Sequence, residues 1–81
     1  MPKYYFDFYD GDREVFRDDQ GTNLPDSNAA HVEAAGSLTE FAKDTLLIGP
    51  GEGERELKVK VRDADGRVIL QARLHFESEV L

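Results

Sequence analysis

Leu24–Ile48, LPDSNAAHVEAAGSLTEFAKDTLLI, is the only stretch of this chain long and periodic enough to form a full helix. Stepping by about 100° per residue, Ala30, Ala34, Leu38, Phe41, Ala42, Thr45 and Leu46 fall on one side. Asn28, Glu33, Gly36, Glu40, Lys43 and Asp44 fall largely on the other. The apolar stripe is small at its start and bulky at its end. Its first half can therefore lie close to a sheet, while Leu38, Phe41 and Leu46 fill a wider gap. Pro25 cannot prolong an upstream ladder, and Asp26 or Ser27 can cap the helix by accepting from its free N–H groups. Gly49-Pro50-Gly51 is a stop signal, because glycine takes the left-handed conformation cheaply and proline cannot continue a helix. Gly36 costs about 1 kcal/mol relative to alanine, which an outward-facing position tolerates.

Upstream, Lys3–Tyr9 (KYYFDFY) alternates, with Tyr4, Phe6 and Phe8 on one face and Tyr5, Asp7 and Tyr9 on the other. Asp10-Gly11 is a hairpin turn signal, and Glu14–Arg17 returns as a second strand with Val15 or Phe16 inward. Asp18-Asp19-Gln20-Gly21 reads as another turn, after which Leu24 tucks beneath the helix start.

Downstream, Glu52-Gly53-Glu54 reads as a solvated linker. Glu56–Arg62 then places Leu57, Val59 and Val61 inward and Lys58, Lys60 and Arg62 outward. Asp63-Ala64-Asp65-Gly66 has turn chemistry. In Arg67–Glu77, Val68, Leu70, Ala72, Leu74 and Phe76 are expected inward. Placing Arg62 opposite Arg67 pairs Val61 with Val68, Val59 with Leu70 and Leu57 with Ala72, and sets Glu56 across from Arg73 as an opposite-charge pair. The expected fold is α+β, a two-layer ββαββ arrangement of a four-stranded antiparallel sheet with one helix packed on one face. The other face is then left to solvent or to a partner.

The 81 residues leave room for one domain spanning 1–81, with modest stability unless a partner adds burial. The absence of cysteine excludes disulfide and zinc-thiolate chemistry and fits a reducing cytoplasm. MPKYYFDF lacks the pattern of a signal peptide, and no apolar run approaches the ~20 residues needed to cross a bilayer, so no membrane is expected. A net charge of −7 and a pI near 4.6 argue against general binding of phosphate backbones.

PKYYFDFYDG, FRDDQGTNLPD, the alanine-rich helix with His31-Val32-Glu33-Ala34, and VRDADGRVILQARLHFE resemble a family of short alphaproteobacterial proteins common in rhizobia and related genera. That family carries a domain of unknown function. The resemblance spans nearly the whole chain and implies an intracellular bacterial protein with no assigned activity and no catalytic residue to carry over. The hairpin, the Leu-Pro-Asp helix entry and the Ala/Glu helix are also similar to small antitoxins that neutralise RNA-cleaving toxins. That likeness implies capture of a basic ribonuclease.

No catalytic constellation stands out. G-x-S-x-G is absent, and Gly49-Pro50-Gly51-Glu52-Gly53 lacks the Lys-Ser/Thr of a phosphate loop. The aspartates at 7, 10 and 12, at 18 and 19, and at 63 and 65 are explained by turn formation, and Asp63-Ala64-Asp65-Gly66 continues with Arg67 instead of an EF-hand sequence. His31 and His75 have no companion nucleophile. We therefore expect neither an enzyme nor a cofactor or metal.

The candidate binding surface is the outer sheet face, with Tyr5, Tyr9, Lys58, Lys60, Arg62, Ile69, Arg73 and His75. Aromatics among cations on an open sheet are how RNA-binding sheets stack bases, and RNA or single-stranded nucleic acid is the alternative ligand. The acidic chain and the diluting Asp7, Glu56 and Glu77 favour a solvated face or a protein interface. The leading expectation is a non-catalytic protein-binding or self-assembly module, homodimeric or bound to another protein, that uses this face or an edge strand.

Overall fold

The computed structural model of the chain describes residues 1–48 and 53–81. Its elements are β1 (Lys3–Asp10), β2 (Arg13–Phe16), β3 (Thr22–Asn23), α1 (Ser27–Ile48), β4 (Gly53–Arg62) and β5 (Val68–Ser78). The strands form one open antiparallel sheet in the order β2-β1-β4-β5, with β3 also paired to β1. The sheet thus has five strands where the sequence predicts four.

The helix forms as its periodicity requires. Asp26 is the cap: its Oδ1 accepts from Ala29 N at 2.8 Å and its carbonyl accepts from Ala30 N at 3.2 Å. Ala30, Ala34, Leu38 and Ala42 are buried against the sheet, with Phe41 and Leu46 partly buried beside them. The Gly49-Pro50-Gly51 stop, and Glu52 of the expected linker, lie outside the described residues.

Beneath the helix, Leu57, Val59 and Val61 of β4 are fully buried. Each such side chain contributes about 2 kcal/mol on leaving water. Tyr4 and Phe6 of β1 complete the core, and Leu24, Phe8, Leu70 and Ala72 flank it. Phe8 packs on Phe41 of the helix at 5.1 Å between ring centroids and on Phe16 at 6.1 Å. Phe16 therefore lies on the same side as Phe8, its pair, but stays exposed, and the extra residue of a bulge is Val15.

Two turns follow from their residues. Gly11 carries a φ of +64° as the first loop residue between the paired Asp10 and Arg13, a conformation glycine adopts without strain. Asp63 Oδ1 accepts from Asp65 N at 2.9 Å and Arg67 N at 3.0 Å, closing the β4–β5 turn around its own side chain.

Four expectations are corrected. Gly53 and Glu54 are the first residues of β4 and pair with Ser78 and Glu77, so they are strand and not linker. The β4–β5 register lies two residues away from the expected one: Val59 pairs with Ala72, Leu57 with Leu74, and Val61 with Leu70. Arg62 then pairs with Val68, leaving Ile69 as the extra residue of a bulge. Val68 consequently joins the outer-face row of Arg62 and is exposed. The slide also dissolves the expected Glu56–Arg73 pair, because Glu56 faces His75 while Lys58 faces Arg73.

β3 escapes a periodic reading because it has only 2 residues, too few to show alternation. It continues the run of β2 along β1 after the excursion Arg17–Gly21, pairing Thr22 with Tyr4 and Asn23 with Lys3. Gly21 closes that excursion at φ +73°, where an added Cβ would come within 2.6 Å of Lys3 Cγ and 2.9 Å of Tyr5 Cε2.

The two glycines should therefore respond oppositely to alanine. Gly36 has open space around it on the outer helix face, so Gly36→Ala should raise stability by about 1 kcal/mol. Gly21→Ala should lower it by about 1–2 kcal/mol through backbone strain and crowding. Urea unfolding of both variants checks the pair, and a neutral Gly21→Ala would contradict the described turn.

Candidate functional site

Tyr5, Asp7 and Tyr9 of β1 and Lys58, Lys60 and Arg62 of β4 project from the side of the sheet opposite the helix, as their alternation dictates. The most constrained of them is Asp7, only 2% exposed although it faces away from the helix. Arg62 holds it with a two-pronged bond, Nε to Oδ2 at 2.7 Å and Nη2 to Oδ1 at 3.1 Å. Arg62 Nη2 also donates to the Asp18 carbonyl at 2.7 Å, and Asp18 N donates to Asp7 Oδ1 at 3.0 Å.

Asp18 has a second task. Its Oδ2 accepts from Phe6 N at 3.0 Å, in the gap where β2 has left β1 and β3 has not yet joined it. Its Oδ1 accepts from Gln20 N and Gly21 N, both at 3.0 Å. The side chain thereby replaces a missing strand as acceptor for the β1 ladder. The excursion Arg17–Gly21 thus lies over one end of the face the sequence leaves open.

The electrostatics follow from this geometry. Burial pushes the Asp7 carboxyl up, but the bonds from Arg62 and Asp18 N–H and the charges of Arg62 and Arg17 outweigh it, leaving Asp7 below its ordinary value. Asp18 is likewise held low, burial being outweighed by three backbone N–H donors and by Arg62. The hydrogen bonds to Asp7 raise Arg62 above its ordinary value despite partial burial. Both carboxyls are thus ionised near neutral pH, which suits ion pairing and not proton donation. An open cleft of ≈ 580 Å³ beside them is lined by Tyr5, Arg17, Asp19 and Asp63, a mixture of both signs of charge.

The remaining predicted residues divide into two groups. Lys60 and Lys58 lie over the Tyr9 ring at 4.7 and 5.8 Å, and Arg62 lies over Tyr5 at 5.1 Å. Lys58 also meets Asp12 at 3.5 Å. These five side chains satisfy one another. Ile69, Arg73 and His75, in contrast, lie on β5 at the rim of the sheet and are exposed. His75 approaches Glu54 at 3.5 Å and Glu77 at 3.9 Å. Ligand atoms of this trio lie within 4.8 Å of one another, but all three side chains are well exposed, and exposure alone gives no ion a sheltered seat.

The register gives β5 an unusual charge pattern. Lys58 stands directly across from Arg73, and Glu54 directly across from Glu77, so two like-charge rows run to the sheet edge. Sequence reasoning missed these rows because it placed Arg73 opposite Glu56. It also missed the Asp7–Arg62–Asp18 assembly, reading these aspartates as turn formers. The available signal was a lone charge at position 7 within an aromatic strand.

Among the described residues no helix is long and apolar enough to cross a membrane. The architecture is that of a two-layer α+β domain with one helix on an open antiparallel sheet. The chain belongs to the family defined by a domain of unknown function, DUF6894, which matches residues 3–75, from the start of β1 through most of β5. No curated protein matches the chain, and no solved structure does.

Because Asp7 and Asp18 have lower values in the fold than the ordinary ~3.9 of an unfolded aspartate, their stabilisation is complete above that value and is lost as pH falls through the folded values. Asp7→Asn leaves Arg62 without its counter-charge and should cost about 3 kcal/mol at neutral pH. That gap should shrink in acid, where wild-type Asp7 also takes up a proton. Urea unfolding at neutral pH and near pH 3 tests this, and a pH-independent gap would refute it.

Proposed function

We propose that this chain is a non-catalytic protein-association module of a bacterial cytoplasm, taking its partner by strand addition at β5. The observation that carries this reading is the outer edge of β5. Among the described residues no strand pairs with it, and it runs from Val68 to Ser78 with Ile69, Leu74 and Phe76 all exposed. The opposite edge also exposes Val15 and Phe16, but it is short and broken: β2 has 4 residues, β3 has 2, and the Arg17–Gly21 excursion interrupts them. The alphaproteobacterial resemblance and the absence of cysteine support the bacterial and cytoplasmic parts of the reading.

A non-catalytic role is favoured because the best-sheltered carboxylate, Asp7, is spent on Arg62. Nucleic acid is a poorer ligand than protein. The chain carries a net charge of −7, and Lys58, Lys60 and Arg62 already hold the tyrosines a base would stack on.

The backbone supplies a clean test. Gly11 N donates to the Glu56 carbonyl at 2.8 Å, so the peptide groups of Glu56 face β1 and those of its neighbours Arg55 and Leu57 face β5. By the same alternation Leu74 and Phe76 turn their peptide groups toward β4, and Arg73, His75 and Glu77 turn theirs outward. Arg73→Pro therefore removes an outward N–H and leaves the β4 ladder whole. With a photocrosslinker at position 75 in living cells, adducts formed by the unblocked edge should fall about tenfold in the Arg73→Pro chain. Adducts indifferent to that substitution, or none with either chain, would overturn the reading.

A further inference from the structure

We infer that the partner at the β5 edge is a second copy of this chain, paired antiparallel about a twofold axis through His75. The inference rests on the edge reading above and names its occupant. One chain alone carries a charge imbalance. Lys58 faces Arg73 and Glu54 faces Glu77, each a like-charge cross-strand pair that disfavours the isolated sheet. Both rows end at the edge, one positive and one negative. Antiparallel pairing about His75 sets Arg73 of one copy against Glu77 of the other. The positive row of each chain then meets the negative row of its partner, and symmetry makes the match twice.

The apolar side agrees. Leu74 and Phe76 lie on the helix face of β5 and are 37% and 38% exposed. In the same register Leu74 of one copy falls opposite Phe76 of the other. This is a non-hydrogen-bonded position, where cross-strand side chains come closest. The outward peptide groups of Arg73, His75 and Glu77 meet their counterparts, so the ladder closes along that stretch. Centring on Phe76 would set Arg73 against Glu79, which lies beyond the end of β5, and two other registers fit worse. Centring on Arg73 sets that residue against its own copy, and centring on Leu74 sets Arg73 against His75 and leaves no opposite-charge pair at the rim.

Charge reversal tests both the occupant and the register by sedimentation across a concentration series. Wild type should approach twice the 9.1 kDa of one chain as concentration rises. Arg73→Glu and Glu77→Arg should each weaken the dimer about tenfold, and the double variant should restore it to within a few-fold of wild type. Neither single change harms the monomer by this account, since each turns an in-chain repulsion into an attraction. Circular dichroism of each variant confirms the fold.

A wild type that stays monomeric to about 1 mM would overturn the inference. A dimer indifferent to both reversals, or one that the double variant does not restore, would do the same. A monomeric wild type whose cellular adducts still depend on an open β5 edge would overturn the second copy alone and leave the association module standing.

Discussion

The pairing of Asp7 with Arg62 joins the two central strands on the side of the sheet away from the helix. Removing a carboxylate this far from water is costly, and attraction between two charges repays that cost only when every remaining lone pair and proton is also satisfied. Here Asp7 takes a third bond from Asp18 N, and Arg62 gives a third to the Asp18 carbonyl. Asp18 in turn accepts from Phe6 N, so the ion pair fixes the segment that completes β1 where the ladder is interrupted. Among the described residues no buried side-chain nitrogen or oxygen lacks a partner. The pair and its loop therefore act as a unit.

This arrangement divides the sheet surface. Around β1 the surface is finished: Tyr5 and Tyr9 carry cations at contact distance, and Asp7 is capped by the Arg17–Gly21 excursion. Each exposed cation–π contact adds only about 0.5–1 kcal/mol, yet together they occupy the groups a ligand would need. Toward β5 the surface is unfinished, with like charges abreast and apolar side chains half in water. The chain is also elongated, with a radius of gyration of 13.7 Å against roughly 12 Å for a compact chain of this length. That fits a long β4–β5 hairpin whose far end one helix cannot cover.

How much of this was legible depended on the period of each signal. The helix stripe spans several turns, so Ala30, Ala34, Leu38 and Ala42 could be placed inward without knowing the sheet. Leu57, Val59 and Val61 were equally plain. The sheet register was less so, because sliding one strand by two residues preserves every inward-facing position. Apolar alternation is blind to that slide, and neither of its two sources, the longer turn that sets Arg62 opposite Val68 and the bulge at Ile69, leaves a compositional mark. Burial of Asp7 was hidden for a related reason. Alternation tells which side a charge faces, not whether a distant loop returns to cover it.

The slide matters more for function than for the fold. Under the expected register Glu56 would have neutralised Arg73 within the chain, removing the positive row from the rim. Under the observed register His75 takes the place opposite Glu56, and the charges sort into one positive and one negative row on either side of it. A strand with opposite charges equidistant from a central residue is its own complement when reversed, because the reversal that defines antiparallel pairing exchanges those two positions. Arg73 and Glu77 stand in that relation about His75, and so do Leu74 and Phe76 on the other face. The turn and the bulge at one end of β5 thus together set the in-chain partner of every residue beyond them, and with it whether the charges of that edge are matched within the chain.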